Sequence, residues 1–310
     1  MEDFSTHSTF SNGCVLTLGK FESLHLGHRV LIKKTVERAK ELGLPAVVLT
    51  FNPHPFAVLS DKPYSPLYTQ EEVALILSGL GVDYLLLKKF DCQFAQTSAA
   101  EFEKFLFDEI KAREIFVGAG YLYGHGRAGT TTALTKAAVE RDCFTHVIPH
   151  EAAAGEENIS TSRIRALLCE SFSENSDNLE KANKLLGQPF FIAGKCESGK
   201  KLGRTIGFPT INLYPQADKF LPENGVYKTN CIIEGISYPA ITNIGTNPTV
   251  ESSPKRKVET HVLNNPNFGE LYGSEIIIEL LSFIRSEKKF TNVTEMVQQI
   301  KKDIAKRSCL

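Results

Sequence analysis

Two histidines that follow a predicted strand are the first residues whose type and spacing indicate chemistry. The segment 19–28 reads G-K-F-E-S-L-H-L-G-H and runs into a predicted helix, with His25 and His28 three residues apart. A helix N-terminus favours phosphate because it carries free N–H groups and a partial positive charge. Imidazoles placed there can donate hydrogen bonds to a phosphate during nucleotidyl transfer. From this motif alone, two histidines that only cap a turn are an equally good explanation.

Two more polar segments are expected at the same edge of the fold. The segment 160–163, S-T-S-R, opens a predicted helix. Its hydroxyls can cap that helix or bind a phosphate, and its arginine can supply a charged fork. Asn52 ends the second predicted strand and is followed by P-H-P. A rigid proline loop would explain that segment equally well.

A glycine-rich segment in the second half suggests a second nucleotide site. Residues 199–212 read G-K-K-L-G-R-T-I-G-F-P-T-I-N. This is not a Walker A loop, but its glycines and basic side chains suit a backbone cradle for polyphosphate. Thr210 and Asn212 stand two residues apart in an extended stretch, so they share a face. Their hydroxyl and amide oxygens are ligands of the kind that Mg2+ accepts.

A carboxylate farther along the chain is the candidate base. Glu259 and His261 alternate within the predicted strand 258–262 and therefore share a face. On a pocket-facing side, Glu259 could accept a proton from a substrate hydroxyl. From spacing alone, a solvated strand carboxylate is the better explanation for Glu259, and a structural role is the better one for His261.

The elements that must position these residues differ between the two halves. The first half alternates apolar runs with helical patterns, which predicts a Rossmann-like α/β domain with a parallel sheet. Its strands are expected at residues 14–18, 46–51, 84–87, 115–117 and 144–148. Ligands of such sheets bind beyond the carboxyl ends of the strands, where the first histidine motif, Asn52 and the helix at 160 would converge.

The second half has short strands punctuated by glycine and proline, which predicts a small antiparallel barrel followed by one C-terminal helix. Strands are expected at residues 226–233, 258–262 and 276–281. The final helix should begin at Asn292 with a capping box to Glu295. Its apolar stripe should comprise Val293, Met296, Val297, Ile300 and Ile304. We predict domains at 1–178 and 187–310, joined by a linker helix at 179–186.

Composition narrows the class of protein. The chain has 310 residues, 42% hydrophobic and 23% charged, with a formal net charge of -1. This balance favours neither nucleic acid nor an anionic membrane as a partner. There is no apolar run long enough to span a bilayer and no secretion signal at the N-terminus. Seven scattered cysteines without a C-x-x-C pair favour a reducing cytoplasm. The oligomeric state stays open, a homo-oligomer included.

In the order of these segments, from about residue 14 to residue 307, the chain resembles the bifunctional bacterial riboflavin kinase/FMN adenylyltransferases, also called FAD synthetases. The P-T-A-N signature of their kinase module appears as 209–212, P-T-I-N, and further matches lie at 225–227, 243–246 and 258–261. The resemblance implies a six-stranded kinase barrel in which Thr210 and Asn212 lie near Mg-ATP and Glu259 is the base. It also implies that His25 and His28 bind ATP phosphates. The implied ATP- and substrate-binding residues are Gly19, Phe21, Asn52, Gly124, Arg127, Ser160, Thr161, Ser162, Arg163, Gly199, Lys200, Gly203, Arg204, Gly207, Phe208, Asn212 and Arg285.

The chain departs from the family pattern at several positions. Where the family usually has G-N-F-D-G before the first histidine, this chain has Lys20 and Glu22 within G-K-F-E-S. Gly120 replaces an aspartate of the family, and Asn247 replaces an arginine. A glycine cannot replace the hydrogen bonds of a carboxylate.

The main prediction is a transferase that phosphorylates riboflavin to FMN with ATP and adenylylates FMN to FAD with release of pyrophosphate. In one alternative, only the kinase is active beside a degenerate nucleotide-binding domain. In another, the chain is a non-catalytic flavin-binding or flavin-sensing protein. A third alternative changes the acceptor of the first site, for example to a pyridine nucleotide or pantetheine phosphate.

Overall fold

The chain forms two compact units, Met1–Ile159 and Ser160–Leu310. The structure, a computed structural model, describes residues 10–149, 159–170, 172–173, 176–197, 206–246, 256–264, 268 and 271–308. The division falls before the predicted linker helix, so two helices that the sequence analysis placed in the first domain or between the domains belong to the second unit.

The first unit is built on a parallel five-stranded sheet with the order β3-β2-β1-β4-β7. The elements are β1 (Cys14–Leu18), α1 (Leu26–Leu42), β2 (Ala46–Asn52), α2 (Pro55–Leu59), α3 (Gln70–Gly79), β3 (Tyr84–Lys89), α4 (Ala99–Lys104), β4 (Ala112–Gly118), the short pair β5 (Leu122–Tyr123) and β6 (Gly129–Thr130), α5 (Thr131–Val139) and β7 (Phe144–Ile148). The predicted α/β fold is confirmed. β1 is buried along its whole length, as expected for a strand with helices on both faces.

The strand order places a topological switch point beside the histidine motif. From β1 the chain passes to β2 and β3 on one side, and later to β4 and β7 on the other. The order therefore reverses between β1 and β4, and such a switch point is where parallel sheets bind ligands. The carboxyl ends of β1, β2 and β4 share this edge, since the strands are parallel.

The second unit is a six-stranded antiparallel sheet with the order β8-β13-β10-β11-β12-β9. Its elements are α6 (Thr161–Cys169), α7 (Asn178–Leu186), β8 (Phe190–Lys195), β9 (Ile211–Leu213), β10 (Gly225–Ile233), β11 (Ile236–Thr246), β12 (Arg256–Val262), β13 (Glu275–Ser286) and α8 (Val293–Ser308). An isolated antiparallel bridge joins Glu197, two residues after the end of β8, to Asn212 of β9. The predicted six-stranded antiparallel architecture is confirmed, in the form of a curled half-barrel.

The helix α7 packs on this sheet. Its apolar side, Leu179, Ala182, Leu185 and Leu186, is buried. Asn183 fixes the contact, because its Nδ2 donates to the carbonyl of Leu280 at 2.9 Å and its Oδ1 accepts from the N–H of Phe190 at 2.7 Å. The segment predicted as a linker at 179–186 is therefore part of the second unit.

The terminal helix α8 begins as predicted but buries a different side chain. Asn292 Oδ1 accepts from the N–H of Glu295 at 2.9 Å. Ile300 and Ile304 pack against the core, whereas Val293 of the predicted apolar stripe is 52% exposed. The residue that α8 buries most completely is Asp303, at 1% exposure, because it forms an ion pair inside the unit.

Candidate functional site

The H-x-G-H motif forms a stacked pair of imidazoles at the start of α1. His25 is the N-cap, and its Nδ1 accepts from the N–H of His28 at 3.3 Å. The two rings stack with centroids 3.8 Å apart and planes inclined by 11°. A Cβ at Gly27 would stand 3.2 Å from the His25 ring, so glycine permits this close packing. The motif therefore does cap a helix, and it presents two imidazoles where a helix of 17 residues offers its positive end.

An aromatic ring from the strand-to-helix turn supports the histidine pair. Phe21 is 1% exposed, and its ring meets the edge of the His28 ring at 5.2 Å. The same ring lies 3.2 Å from the position of a Cβ at Gly19. A larger residue at Gly19 would displace Phe21 and hence the histidine that it supports.

A cation that the sequence analysis did not single out follows the pair. Arg29 Nε donates to the carbonyl of Leu24 at 3.1 Å. Burial is the main influence on its guanidinium and lowers the pKa, while Tyr68 acts in the opposite direction. Adjacency to H-x-G-H was the available signal for a third basic group at this helix start.

The end of β2 carries one more histidine at the same edge, in contact with a carboxylate and a tyrosine. Asn52 is exposed at the strand terminus. Glu22, one of the departures from the family pattern, reaches the ring of His54 with Oε2 and Nε2 3.8 Å apart. The His54 ring stacks on Tyr64 at 4.8 Å. Sequence spacing did not reveal this contact, because Glu22 and His54 follow different strands.

The loop after β4 depends on glycine at one position. Gly124 has φ of 73°, and a Cβ there would lie 2.7 Å from the backbone nitrogen of Ala99. Arg127 is exposed at the end of the following 3-10 turn, with φ of 61°. Gly120 is exposed in the turn between β4 and β5.

The segment predicted to close over the phosphates opens α6 of the second unit. Ser160 is the N-cap, and its Oγ accepts from the N–H of Arg163 at 3.2 Å. Thr161 and Ser162 form the first turn of the same helix. The capping role anticipated for these hydroxyls is thus present, and the phosphate-binding role of the segment stays a prediction.

The second candidate site lies where β9 and β12 pair. In the antiparallel register, Asn212 stands opposite Glu259, so the two side chains share a face with Cβ atoms about 5 Å apart. Thr210 precedes Asn212 by two residues in extended chain and is exposed. The register thus brings together Asn212 and Glu259, which the sequence analysis selected from positions 47 residues apart, and Thr210 lies one residue before β9.

Asn212 is the polar residue of this face with an unused acceptor. It is 6% exposed, and its Oδ1 has no hydrogen-bond partner among the residues that the structure describes. Leaving a buried acceptor unsatisfied costs about 1–3 kcal/mol, so such an atom calls for a partner, which can be a water, an ion or a ligand. An amide oxygen next to a threonine hydroxyl and a carboxylate is a set of hard oxygen donors that fits a divalent cation sharing phosphate oxygens.

A lysine that sequence analysis missed holds the candidate base. Lys257 Nζ donates to Oε1 of Glu259 at 2.7 Å. The lysine side chain is 8% exposed, and the glutamate side chain is 38% exposed. The K-x-E spacing at 257–259 was the available signal, because β12 begins at Arg256, before the predicted start at residue 258, and places both residues on one face.

Other predicted residues of this unit contact the backbone and one another. His261 Nδ1 lies 2.8 Å from the carbonyl of Pro209, and its ring meets Phe208 edge-on at 5.3 Å. These contacts fix the extended segment ahead of Thr210. Gly207 has φ of 84°, a backbone conformation that glycine adopts without strain.

Arg285 was expected to bind substrate, but the structure places it in a buried ion pair. Its Nε and Nη2 donate to the carboxylate of Asp303 at 2.8–3.1 Å, and its Nη1 donates to the carbonyl of Ser286 at 2.9 Å. Arg285 is 5% exposed. Since the guanidinium joins β13 to α8, we leave it out of the proposed site. Gly199, Lys200, Gly203, Arg204 and Asn247 lie outside the described residues.

Comparisons with known proteins match both halves of the chain. The model of the FAD synthetase family matches residues 7–163, and the riboflavin kinase model matches residues 186–309. A bifunctional riboflavin kinase/FMN adenylyltransferase of Escherichia coli is 35% identical over 294 residues, which is 94% of this chain and 90% of that protein. The protein of the same description from Listeria monocytogenes is 34% identical over 291 residues, 93% of this chain and 90% of that one.

A solved structure shows the same fold over nearly the whole chain. A crystal structure described as a macrolide-efflux protein from Streptococcus pneumoniae matches with a TM-score of 0.79 and 29% identity, covering 96% of this chain and 94% of the other. In the described part of the chain, none of the helices has both the length and the apolar character needed to cross a membrane. From the two matching domains and these relatives, we conclude that the chain belongs to the family of bifunctional riboflavin kinase/FMN adenylyltransferases, transferases that combine an FAD synthetase domain with a riboflavin kinase domain.

Proposed function

We propose that the barrel of the second unit transfers the γ-phosphate of ATP to the terminal ribityl hydroxyl of riboflavin, with Glu259 as the general base. The hydroxyl oxygen bonds to the γ-phosphorus, the bond to the β,γ-bridging oxygen breaks and ADP leaves, while the hydroxyl proton passes to the carboxylate. The observation that carries this proposal is the register between β9 and β12, which sets Glu259 opposite Asn212.

The exposures of the two residues suit these roles. Glu259 is 38% exposed at its side chain, so a substrate hydroxyl can reach it. Asn212 is buried with a free acceptor atom, so a ligand at that atom would remove an existing energetic cost. If Glu259 were only a solvated strand carboxylate, its position opposite the buried amide oxygen of Asn212 would have no functional consequence.

We propose that the divalent cation used by this chain is Mg2+. Thr210 Oγ1 and Asn212 Oδ1 would hold it, since a hydroxyl and an amide oxygen match its preference for hard ligands. When bound, such a cation neutralises charge on the transferring phosphates. The protein residues themselves bind the acceptor, orient it toward the phosphate and accept its proton.

For the first unit, we propose transfer of AMP from ATP to FMN, with release of pyrophosphate. The stacked rings of His25 and His28, together with the N–H groups that begin α1, would donate hydrogen bonds to the phosphates of ATP. This arrangement stabilises the negative charge that develops as the α-phosphorus changes partners. Asn52 and Arg127 of the same unit would contact the nucleotide or the flavin phosphate.

The proposed setting is the cytoplasm. The six described cysteines, Cys14, Cys92, Cys143, Cys169, Cys196 and Cys231, are all free thiols, which is usual in a reducing compartment. Burial raises the pKa of Cys14 to about 12, so this thiol is protonated and unreactive at neutral pH. The partners that we propose are riboflavin, FMN and ATP.

One experiment tests both reactions. Purified protein is incubated with riboflavin, ATP and Mg2+, and FMN and FAD are separated chromatographically; a parallel reaction starts from FMN. We expect Glu259→Gln to lower FMN formation by about 10²–10⁴-fold, the usual contribution of a general base, and to leave FAD formation from FMN unchanged. Full FMN formation by folded Glu259→Gln would refute the role of the base. FMN without FAD or pyrophosphate in the wild type would select the alternative in which only the kinase is active.

A further inference from the structure

Lys257 is a buried ammonium beside the candidate kinase site. The residue lies on β12 at 6% exposure. Removing a charge from water costs several kcal/mol unless a partner compensates for it. Among the described residues, the hydrogen bond that Lys257 makes is the one to Oε1 of Glu259, at 2.7 Å. The burial of this lysine therefore depends on the residue proposed as the base.

The choice of partner is specific, because another carboxylate reaches the same face. Gly245 stands opposite Lys257 on β11, and the position of a Cβ at Gly245 lies 2.1 Å from Oε1 of Glu287. Glu287 nevertheless accepts a hydrogen bond from Asn224, at 3.0 Å. The lysine is paired with the carboxylate two residues along its own strand.

The neighbours of the ammonium restrict where the pair can lie. Lys257 Nζ stands over the ring of Tyr214 at 5.8 Å from the centroid, so the ammonium has an aromatic neighbour as well as the carboxylate. Since the hydrogen bond from Lys257 uses Oε1 of Glu259, the other oxygen, Oε2, is left for a substrate. The facing residue on β9 is Asn212, on whose side the phosphates are proposed to bind.

We propose that Lys257 is a positioning residue of the kinase, which holds Glu259 through Oε1 so that Oε2 faces the acceptor hydroxyl. This inference rests on the proposed role of Glu259 as base. The lysine acts through the carboxylate and does not contact the substrate. A carboxylate on a freely rotating side chain would spend much of its time out of line with the hydroxyl, and misplacement of that kind lowers turnover.

A purely structural ion pair predicts different behaviour. In that case Lys257→Met would change the stability of the unit and leave kcat of the folded enzyme as it was. A positioning role predicts that kcat for FMN formation falls about 10–100-fold, as is usual when a residue orienting a functional group is lost. The KM for riboflavin should change by less than about twofold, because the lost interaction matters for the chemical step. Lys257→Arg should restore most of kcat, since a guanidinium can hold the same oxygen.

The full-length chain supplies its own control. FAD formation from FMN is measured in the same samples and should be unchanged in every variant, since it belongs to the first unit. Lys228→Met, at a half-buried lysine of β10, is the matched control for loss of a strand lysine and should keep wild-type kcat. Thermal unfolding shows that each variant is folded. Should Lys257→Met fail to fold, Lys257→Gln, which keeps a polar end, takes its place.

The double variant separates positioning from direct contact. In a Glu259→Gln background, Lys257→Met should cause no further loss of kcat, because the lysine would act through the missing carboxylate. A further loss of tenfold would show that the ammonium acts on the phosphates itself and would overturn the inference. Wild-type kcat in folded Lys257→Met, with Glu259→Gln inactive, would overturn it while leaving the proposed function intact. Full activity of Glu259→Gln would instead remove the proposed function.

Discussion

Replacement of Asn212 by valine should make the kinase unit more stable and inactive. The side chain is 6% exposed and its Oδ1 has no partner among the described residues. An unsatisfied buried acceptor costs about 1–3 kcal/mol. Valine removes that cost, is favourable in a strand and keeps the backbone bridge in which the Asn212 carbonyl accepts from the N–H of Glu197 at 2.9 Å. Because valine will not fill the site perfectly, we expect Asn212→Val to raise the free energy of unfolding by about 1–2 kcal/mol.

The assay is calorimetric unfolding of the full chain with and without Mg2+ and ADP. For a unit the size of Ser160–Leu310, each kcal/mol raises Tm by about 2–4 °C, so Asn212→Val should unfold about 2–8 °C higher in the absence of ligand. With Mg2+ and ADP at about 100 times Kd, the wild type should gain about 2.7 kcal/mol and the variant much less. The variant should therefore have the higher Tm without ligand, and the wild type should have the higher Tm with ligand.

A satisfied asparagine of the same sheet is the control. Asn230 donates to Glu279 at 3.2 Å and accepts from Arg307 at 3.1 Å, so Asn230→Val should lose about 1 kcal/mol. The opposite signs of the two substitutions test the reasoning. Should Asn212→Val lower Tm without ligand, or keep wild-type FMN formation, the unsatisfied oxygen would have neither the cost nor the role that we assign to it.

Three further outcomes are expected. Gly27→Ala places a methyl 3.2 Å from the His25 ring; FAD formation from FMN should fall about tenfold or more with FMN formation unchanged, and an unaltered FAD rate would show that the stacking is dispensable. Arg285→Met should lower the free energy of unfolding of the second unit by about 3–5 kcal/mol in chemical denaturation, because it leaves the buried Asp303 carboxylate without its arginine. A decrease below about 1 kcal/mol would mean that water reaches this carboxylate. The pKa of Glu114 is lowered, chiefly by hydrogen bonds from an arginine of α1. Its contribution to stability is therefore present above about pH 4.3 and is lost as pH falls through the lower folded value, so Glu114→Gln should flatten acid unfolding of the first unit in that range.

The sequence predicted the bounds of two strands of the parallel sheet. The bounds of β1 and β7 agree with the prediction, at Cys14–Leu18 and Phe144–Ile148. β4 begins at Ala112, three residues before the predicted start, because the strand includes Glu114. That carboxylate is buried through an ion pair with Arg38 at 2.7 Å. Periodicity cannot reveal a partner 76 residues away in the chain.

Long-range pairing also explains what the sequence missed at the C-terminus. The apolar pattern of α8 predicted the correct side of the helix, yet Asp303 is its most buried side chain. A carboxylate there is stable because Arg285 of β13 faces it. The same arginine was expected to bind substrate, because the F-I-R segment matched the family resemblance. A sequence match does not show which charged group the arginine contacts. Likewise, nothing local indicated that α7 would pack on β13.

The two candidate sites differ in what places them. The histidine pair is local: His25, Gly27 and His28 lie within four residues, so a motif was enough to find them. Glu259 looked like a solvated strand carboxylate from its spacing, and only the order β11-β12-β9 gives it a buried amide on one side. The proposed kinase chemistry is therefore a property of strand register. A slip of one residue between β9 and β12 would turn Asn212 to the opposite face and separate it from Glu259. Kinase activity would be lost in that case although no proposed catalytic residue had been replaced.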